Sequence, residues 1–242
     1  MKNTILTILC ICFYLTSIAQ TTEEKVYASL LKTNVSANGK VDYKALKKNE
    51  TLVDIYLDYL NKTIPGKNWS SDKAKAFWMN VYNAYTIKTV LDNYPLNSLM
   101  DIKKEGKNAW EIKSVKVGGY DYTLDYIEHK VLRRWHDDPR IHVGINSASI
   151  SGPRLPNFLF TEDNVEKKLD YLMKVFLNDG SKNKIMPNDV KLSKIFEWYK
   201  EDFSTSGGLI DYLNKYSATK INNTADIKYI EYNWNLNEFK KR

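Results

Sequence analysis

Beyond Cys12 this 242-residue chain contains no cysteine. Both of its cysteines, Cys10 and Cys12, fall within residues 1–19, and that stretch reads as a secretory signal. Lys2 supplies the positive start, Ile5 to Leu15 the apolar core, and Ser17-Ile18-Ala19 the small-residue cleavage site ahead of Gln20. Removal of this segment on export leaves a chain with no thiol, which excludes a disulfide, a thiolate nucleophile and a cysteine-ligated metal. A lipid anchor is excluded as well, because neither cysteine stands just after the small-residue site. Long apolar runs are equally scarce. Ile5 to Leu15 is too short to span a bilayer and no later segment qualifies. The expected protein is therefore exported (periplasmic or extracellular), soluble and not membrane-spanning.

Histidine is rare: His129, His136 and His142 are the only three. Without tight spacing to one another or to carboxylates they form no recognisable metal site, so neither a metal nor another cofactor is expected. Positive charge is present but not concentrated. The formal charge of +7, or +6 once Lys2 is gone, is spread over lysines standing singly and in pairs, and no basic stripe marks a nucleic-acid partner. Six tryptophans and seventeen tyrosines furnish a core without covalent staples for the remaining ~220 residues. Residues 20–242 show no repeat, low-complexity tract or linker and are read as a single globular domain. Nothing in the sequence sets its oligomeric state.

Hydrophobic spacing places helices near Glu23 to Lys32, from Leu46 to Leu60, and from about Asp72 to Asn93. The third is apolar on nearly all sides and should be buried. Asn80 and Asn83 interrupt it on one inward stripe. Either they tie the helix to neighbouring backbone or one of them lines a pocket and orients a ligand. Gly118-Gly119 marks a hairpin turn. A helix from about Thr123 to Trp135 follows, with Glu128 on the wheel between Leu124, Val131 and Leu132. A carboxylate there needs a cation or a cluster of donors, with Arg140 or a histidine the expected partner. Glu162 to Asn178 is amphipathic, and shorter helices and strands complete an α+β chain, with helices packed around a mostly antiparallel sheet.

The stretch Asp138 to Pro156 is where a site is expected. Ile141, Val143 and Ile145 alternate with His142, Gly144 and Asn146 as a strand would. Asn146, Ser147, Ser149, Ser151 and Gly152 then crowd small polar groups into a loop bounded by Pro153.

Several segments resemble the domain of unknown function 547 family: VDYKAL at residues 41–46, KAFWMNVYNAYTIKTVLDNYP at 75–95, LDYIEHKVLR at 124–133 and DPRIHVGINSASISGP at 138–153. LSKIFEWYKEDF at 192–203 and YIEYNWNLN at 229–237 continue it in the family's order. Many members carry cysteine where this chain has Ser147, and a second where it has Gly152. A loop cysteine with a histidine elsewhere implies a papain- or transglutaminase-like thiol hydrolase, by analogy of fold. Both cysteines are absent here, so the thiol chemistry does not transfer.

Two functions follow. In the first, a hydrolase or acyl-transfer enzyme, or its inactive descendant, uses Ser147 with His129 as base and Glu128 behind it. His142 is five positions from Ser147, ~16 Å along an extended chain, and is the poorer base. In the second, a non-catalytic envelope module holds a small-molecule, peptide or glycan ligand in a cleft lined by Asn80, Asn83, Arg140, His142, Asn146, Ser149 and Ser151.

Overall fold

The computed structural model describes residues 20–204 and 207–239. The proposed signal, residues 1–19, lies outside them. The expected α+β class holds. Strands are divided among three small sheets, antiparallel in every pairing but one.

The helix Ser71–Asp92 is the centre of the molecule. Ser70 starts it, its hydroxyl accepting from the Lys73 amide at 3.1 Å, with Asp72 in the first turn where the helix dipole favours an anion. Every residue from Lys75 to Ile87 is buried, so helices pack against it on several sides. Its neighbours include Tyr43–Lys48, Glu50–Lys62, the segment Ile127–Leu132 and Val165–Leu177. The last of these turns Val165, Leu169, Leu172, Met173 and Phe176 inward, as its amphipathic spacing requires.

Strands Val115–Val117 and Tyr120–Tyr122 form the expected hairpin. Gly118 and Gly119 sit at φ 59° and 81°, the left-handed pair that a two-residue turn of this twist demands. The three-stranded sheet joins Lys184–Ile185 antiparallel to Asp189–Ser193, which pairs in parallel with Asp226–Ile230.

The strand expected at Ile141 to Ile145 is a helical turn instead, Ile141–Gly144. Asp138 opens it, one carboxylate oxygen accepting the Arg140 amide at 3.0 Å while its carbonyl takes Ile141 N at 3.1 Å. Residues 141–146 are all buried, so apolar groups are needed on every side of this turn and their alternation does not report a sheet face. Gly144 permits the packing. A Cβ there would lie 2.5 Å from Met79 Sδ and 2.8 Å from a Leu169 methyl.

Candidate functional site

Asparagine side chains hold the polar loop that follows this turn. Asn83, on the central helix, donates to Gly144 O and accepts from Asn146 N, both at 2.9 Å. Asn146 in turn accepts from Ala148 N at 2.8 Å and donates to Pro153 O at 2.6 Å, closing the loop on itself. Asn237 Nδ2 reaches Asn146 Oδ1 at 3.4 Å, and the buried Tyr43 hydroxyl orients Asn237 by donating to its Oδ1 at 2.8 Å. Under these constraints Ala148 takes φ 55°, a left-handed conformation that a residue with a Cβ seldom adopts. From Ile141 to Ser149 all residues are buried except Ser147.

The Ser147 hydroxyl meets other hydroxyls. Its Oγ lies 2.9 Å from Ser149 Oγ and 3.3 Å from the Tyr232 hydroxyl, and the last two are 2.8 Å apart. Burial raises the Tyr232 pKa, the two serines acting in the opposite sense, so the phenol stays protonated. Gly152 backs the trio: a Cβ at that position would stand 2.9 Å from Ser149 Oγ, 3.2 Å from the Tyr232 hydroxyl and 3.3 Å from Ser147 Oγ.

A second wall comes from the helical run beginning at Leu124. Its middle, Ile127–Leu132, is a π-turn in which the Arg133 amide donates to Glu128 O, five residues back. The wide turn keeps Leu124, Ile127, Val131 and Leu132 buried while Glu128 emerges half-buried, rather than at the centre of the apolar face. The Glu128 carboxylate accepts from Tyr82 at 3.1 Å and from Tyr199 at 2.5 Å. Burial and the Glu128 charge push both phenols well above their ordinary pKa, which keeps them as donors. Glu128 thus finds a cluster of donors, and neither Arg140 nor a histidine is among them.

His142 has its own carboxylate. Its Nε2 lies 2.8 Å from Asp202, its ring stacks on Tyr199 with centroids 3.7 Å apart, and its Nδ1 is buried without a partner. Arg133 grips the same Asp202 with two bonds, at 2.6 and 2.9 Å. Burial pulls the Asp202 pKa upward, but His142 and Arg133 outweigh it and hold the carboxyl well below the usual range. His129 sits 3.5 Å from Asp125, one turn before it, and Glu128 does not support it.

These groups surround a cavity of about 320 Å³. Of the residues expected at a site, Ser147, His129, Glu128 and His142 line it. Asn83, Asn146 and Ser149 stand behind it as the loop's scaffold, and Ser151 Oγ accepts from Asn233 N at 2.9 Å. Asn80 ties the central helix to the backbone of Phe160. Arg140 lies in a separate ion network with Asp138, Glu166 and Asp170, in which Lys75 also binds Asp138 and Glu166.

Sequence reasoning missed most of the cavity's aromatic lining: Tyr82, Trp110, Trp198, Tyr199, Tyr232 and Trp234. Asp202, the carboxylate behind His142, was missed too. The residues come from four separate stretches of the chain, at 82, 110, 198–202 and 232–234, and no period or motif joins them. The one available signal was aromatic density in EWYKEDF and YNWNLN, at the two segments that close the cavity.

Residues 66–177 match the family described as protein of unknown function, DUF547. The resemblance seen at residues 41–46, 192–203 and 229–237 falls outside that match, although those segments supply Tyr43, Tyr199, Asp202, Tyr232 and Trp234. No curated protein and no solved structure matches the chain. Among the described residues no helix is long and apolar enough to cross a membrane.

Proposed function

Since the chain belongs, through residues 66–177, to the DUF547 family, whose description names no activity, we propose from its geometry that it is an exported binding module. Its aromatic cavity holds a small organic, peptide or glycan ligand without transforming it. One observation carries this reading. Ser147 Oγ is bonded to the hydroxyls of Ser149 and Tyr232, and no imidazole is among its partners. A serine hydroxyl gives up its proton near neutral pH only to a positioned base. Its neighbours here are two groups that hold their own protons more tightly than histidine does.

The hydrolase reading has one observation in its favour. His142, which lines the same cavity, is oriented by Asp202 and has a buried Nδ1 without a partner, and an imidazole held by a carboxylate is the base-and-acid half of a nucleophilic site. Within that reading the protein is a descendant whose nucleophile has been replaced and drawn into a hydroxyl cluster.

Two measurements test the assignment. The full chain is incubated with p-nitrophenyl esters and a peptide panel, where no turnover above buffer is expected. Turnover abolished by Ser147→Ala would establish catalysis instead. Ligand-observed NMR against a mixture of small sugars, dipeptides and amines is expected to show saturable binding that Trp234→Leu weakens. Intact mass of protein recovered from outside the cytoplasm tests the export proposal and should begin at or near Gln20.

A further inference from the structure

We infer that the cavity selects an organic ammonium cation, a quaternary or methylated amine, between its aromatic wall and the Glu128 carboxylate; this rests on reading the cavity as a binding site.

The wall is built of rings set at angles to one another. Trp110 and Trp234 lie 5.7 Å apart with planes at 72°, and Trp198 lies nearly parallel to Trp234, also at 5.7 Å. Tyr232 fills the corner, 4.5 Å from Trp234 and 4.9 Å from Trp198. Indole and phenol faces carry the negative part of the ring quadrupole, and several faces around one space attract a cation whose charge is spread over methyl groups. The methyls also suit an apolar wall, where a compact ammonium would lose its hydration shell without replacement.

Charge selects in the same direction. Lysine and arginine outnumber aspartate and glutamate 36 to 29 in the chain, yet among the described residues neither lines this cavity, whereas Asp125 and Glu128 both do. Arg133, whose guanidinium lies 5.5 Å from the centre of the Tyr199 ring, is bound to Asp202. Each Glu128 oxygen accepts one phenolic hydrogen bond, from Tyr82 or Tyr199, which leaves a lone pair on each for a bound cation. An anionic ligand would face two carboxylates with no lysine or arginine among the described residues lining the cavity to offset them, and the two histidines there, His129 and His142, are engaged by Asp125 and Asp202. The volume, about 320 Å³, stands at the small end of ligand sites and suits a headgroup rather than a chain.

The test compares choline with 3,3-dimethylbutan-1-ol, which has the same shape with carbon in place of the charged nitrogen. Both are titrated into the full chain and followed by tryptophan fluorescence and calorimetry, with matched sodium chloride as the ionic control. Choline is expected to bind at least tenfold tighter than the alcohol, ~1.4 kcal/mol. Glu128→Gln, checked for folding by circular dichroism, should lower choline affinity several-fold and leave the alcohol unchanged. Trp234→Leu should weaken choline more than the alcohol. Equal binding of the two compounds, or an unchanged choline affinity in Glu128→Gln, would overturn the cation assignment. If methyl glucoside or a dipeptide binds and choline does not, the cavity is a binding site for another class and only this inference fails. If no probe binds, both readings fail.

Discussion

Replacing Asn83 by alanine removes both hydrogen bonds between the central helix and the serine loop. The side chain is 7% exposed, so neither Gly144 O nor Asn146 N gains ready access to water in exchange. Each of the two polar groups left buried and unpaired costs ~1–3 kcal/mol. Part of this is recovered because alanine loses less side-chain entropy on folding and a water can enter the gap. A total near 3 kcal/mol follows, which at roughly 2–4 °C per kcal/mol for a domain of this size lowers Tm by about 6–12 °C. The assay is thermal unfolding by circular dichroism with a urea titration alongside. Asn49→Ala is the control: the same deletion at an exposed position, where Asn49 Nδ2 donates to Ala45 O at 3.0 Å, and it should cost no more than ~0.5 kcal/mol. Asn83→Asp keeps the acceptor for Asn146 N but turns the donor facing Gly144 O into a second acceptor, and it should melt no higher than Asn83→Ala. If Asn83→Ala melts within about 2 °C of the control, less than 1 kcal/mol is at stake, and the loop is not held by this amide.

Asp202 links the site to acid stability. Its folded-state pKa lies below the ordinary value, so the stabilisation it confers is complete above the unfolded carboxyl pKa of about 4 and is lost as pH falls through the folded value. Asp202→Asn should therefore be destabilised at neutral pH and show a flatter decline of Tm between roughly pH 5 and pH 2; parallel curves for the two proteins would refute the linkage. Glu128→Ala leaves the buried Tyr82 hydroxyl without its acceptor and should cost ~2 kcal/mol, with Glu128→Gln milder because one acceptor remains. The surface change Lys130→Ala serves as the near-neutral reference, and a Glu128→Ala melt indistinguishable from it would sink that account. Gly152→Ala puts a methyl 2.9 Å from Ser149 Oγ, so about 1–3 kcal/mol of overpacking is expected, together with altered tryptophan emission from the adjoining aromatic wall. Unchanged emission and stability would show that the hydroxyl trio has room to move.

The central helix was legible in the residues themselves. Phe77, Trp78, Val81, Tyr82, Ile87 and Val90 leave no polar side, and such a segment has nowhere stable to be but the interior. The inward asparagines, the Gly118-Gly119 turn and the loop of serines were legible for the same reason: each follows from a short-range rule about period, φ or hydrogen-bonding capacity. Tertiary structure alone decided what those rules leave open. Alternation at Ile141 to Ile145 is as compatible with a fully buried helical turn as with a strand, and the close approach of Met79 and Leu169 to Gly144 accompanies the turn. A wheel drawn at 3.6 residues per turn sets Glu128 among leucines, whereas the π-turn rotates it out to Tyr82 and Tyr199. The partner of His142 lies sixty residues away on another element, as Asp202, and the aromatic wall gathers rings from positions 82 to 234. Contacts of that span carry no local signature, because they arise from how elements pack rather than from the spacing within any one of them.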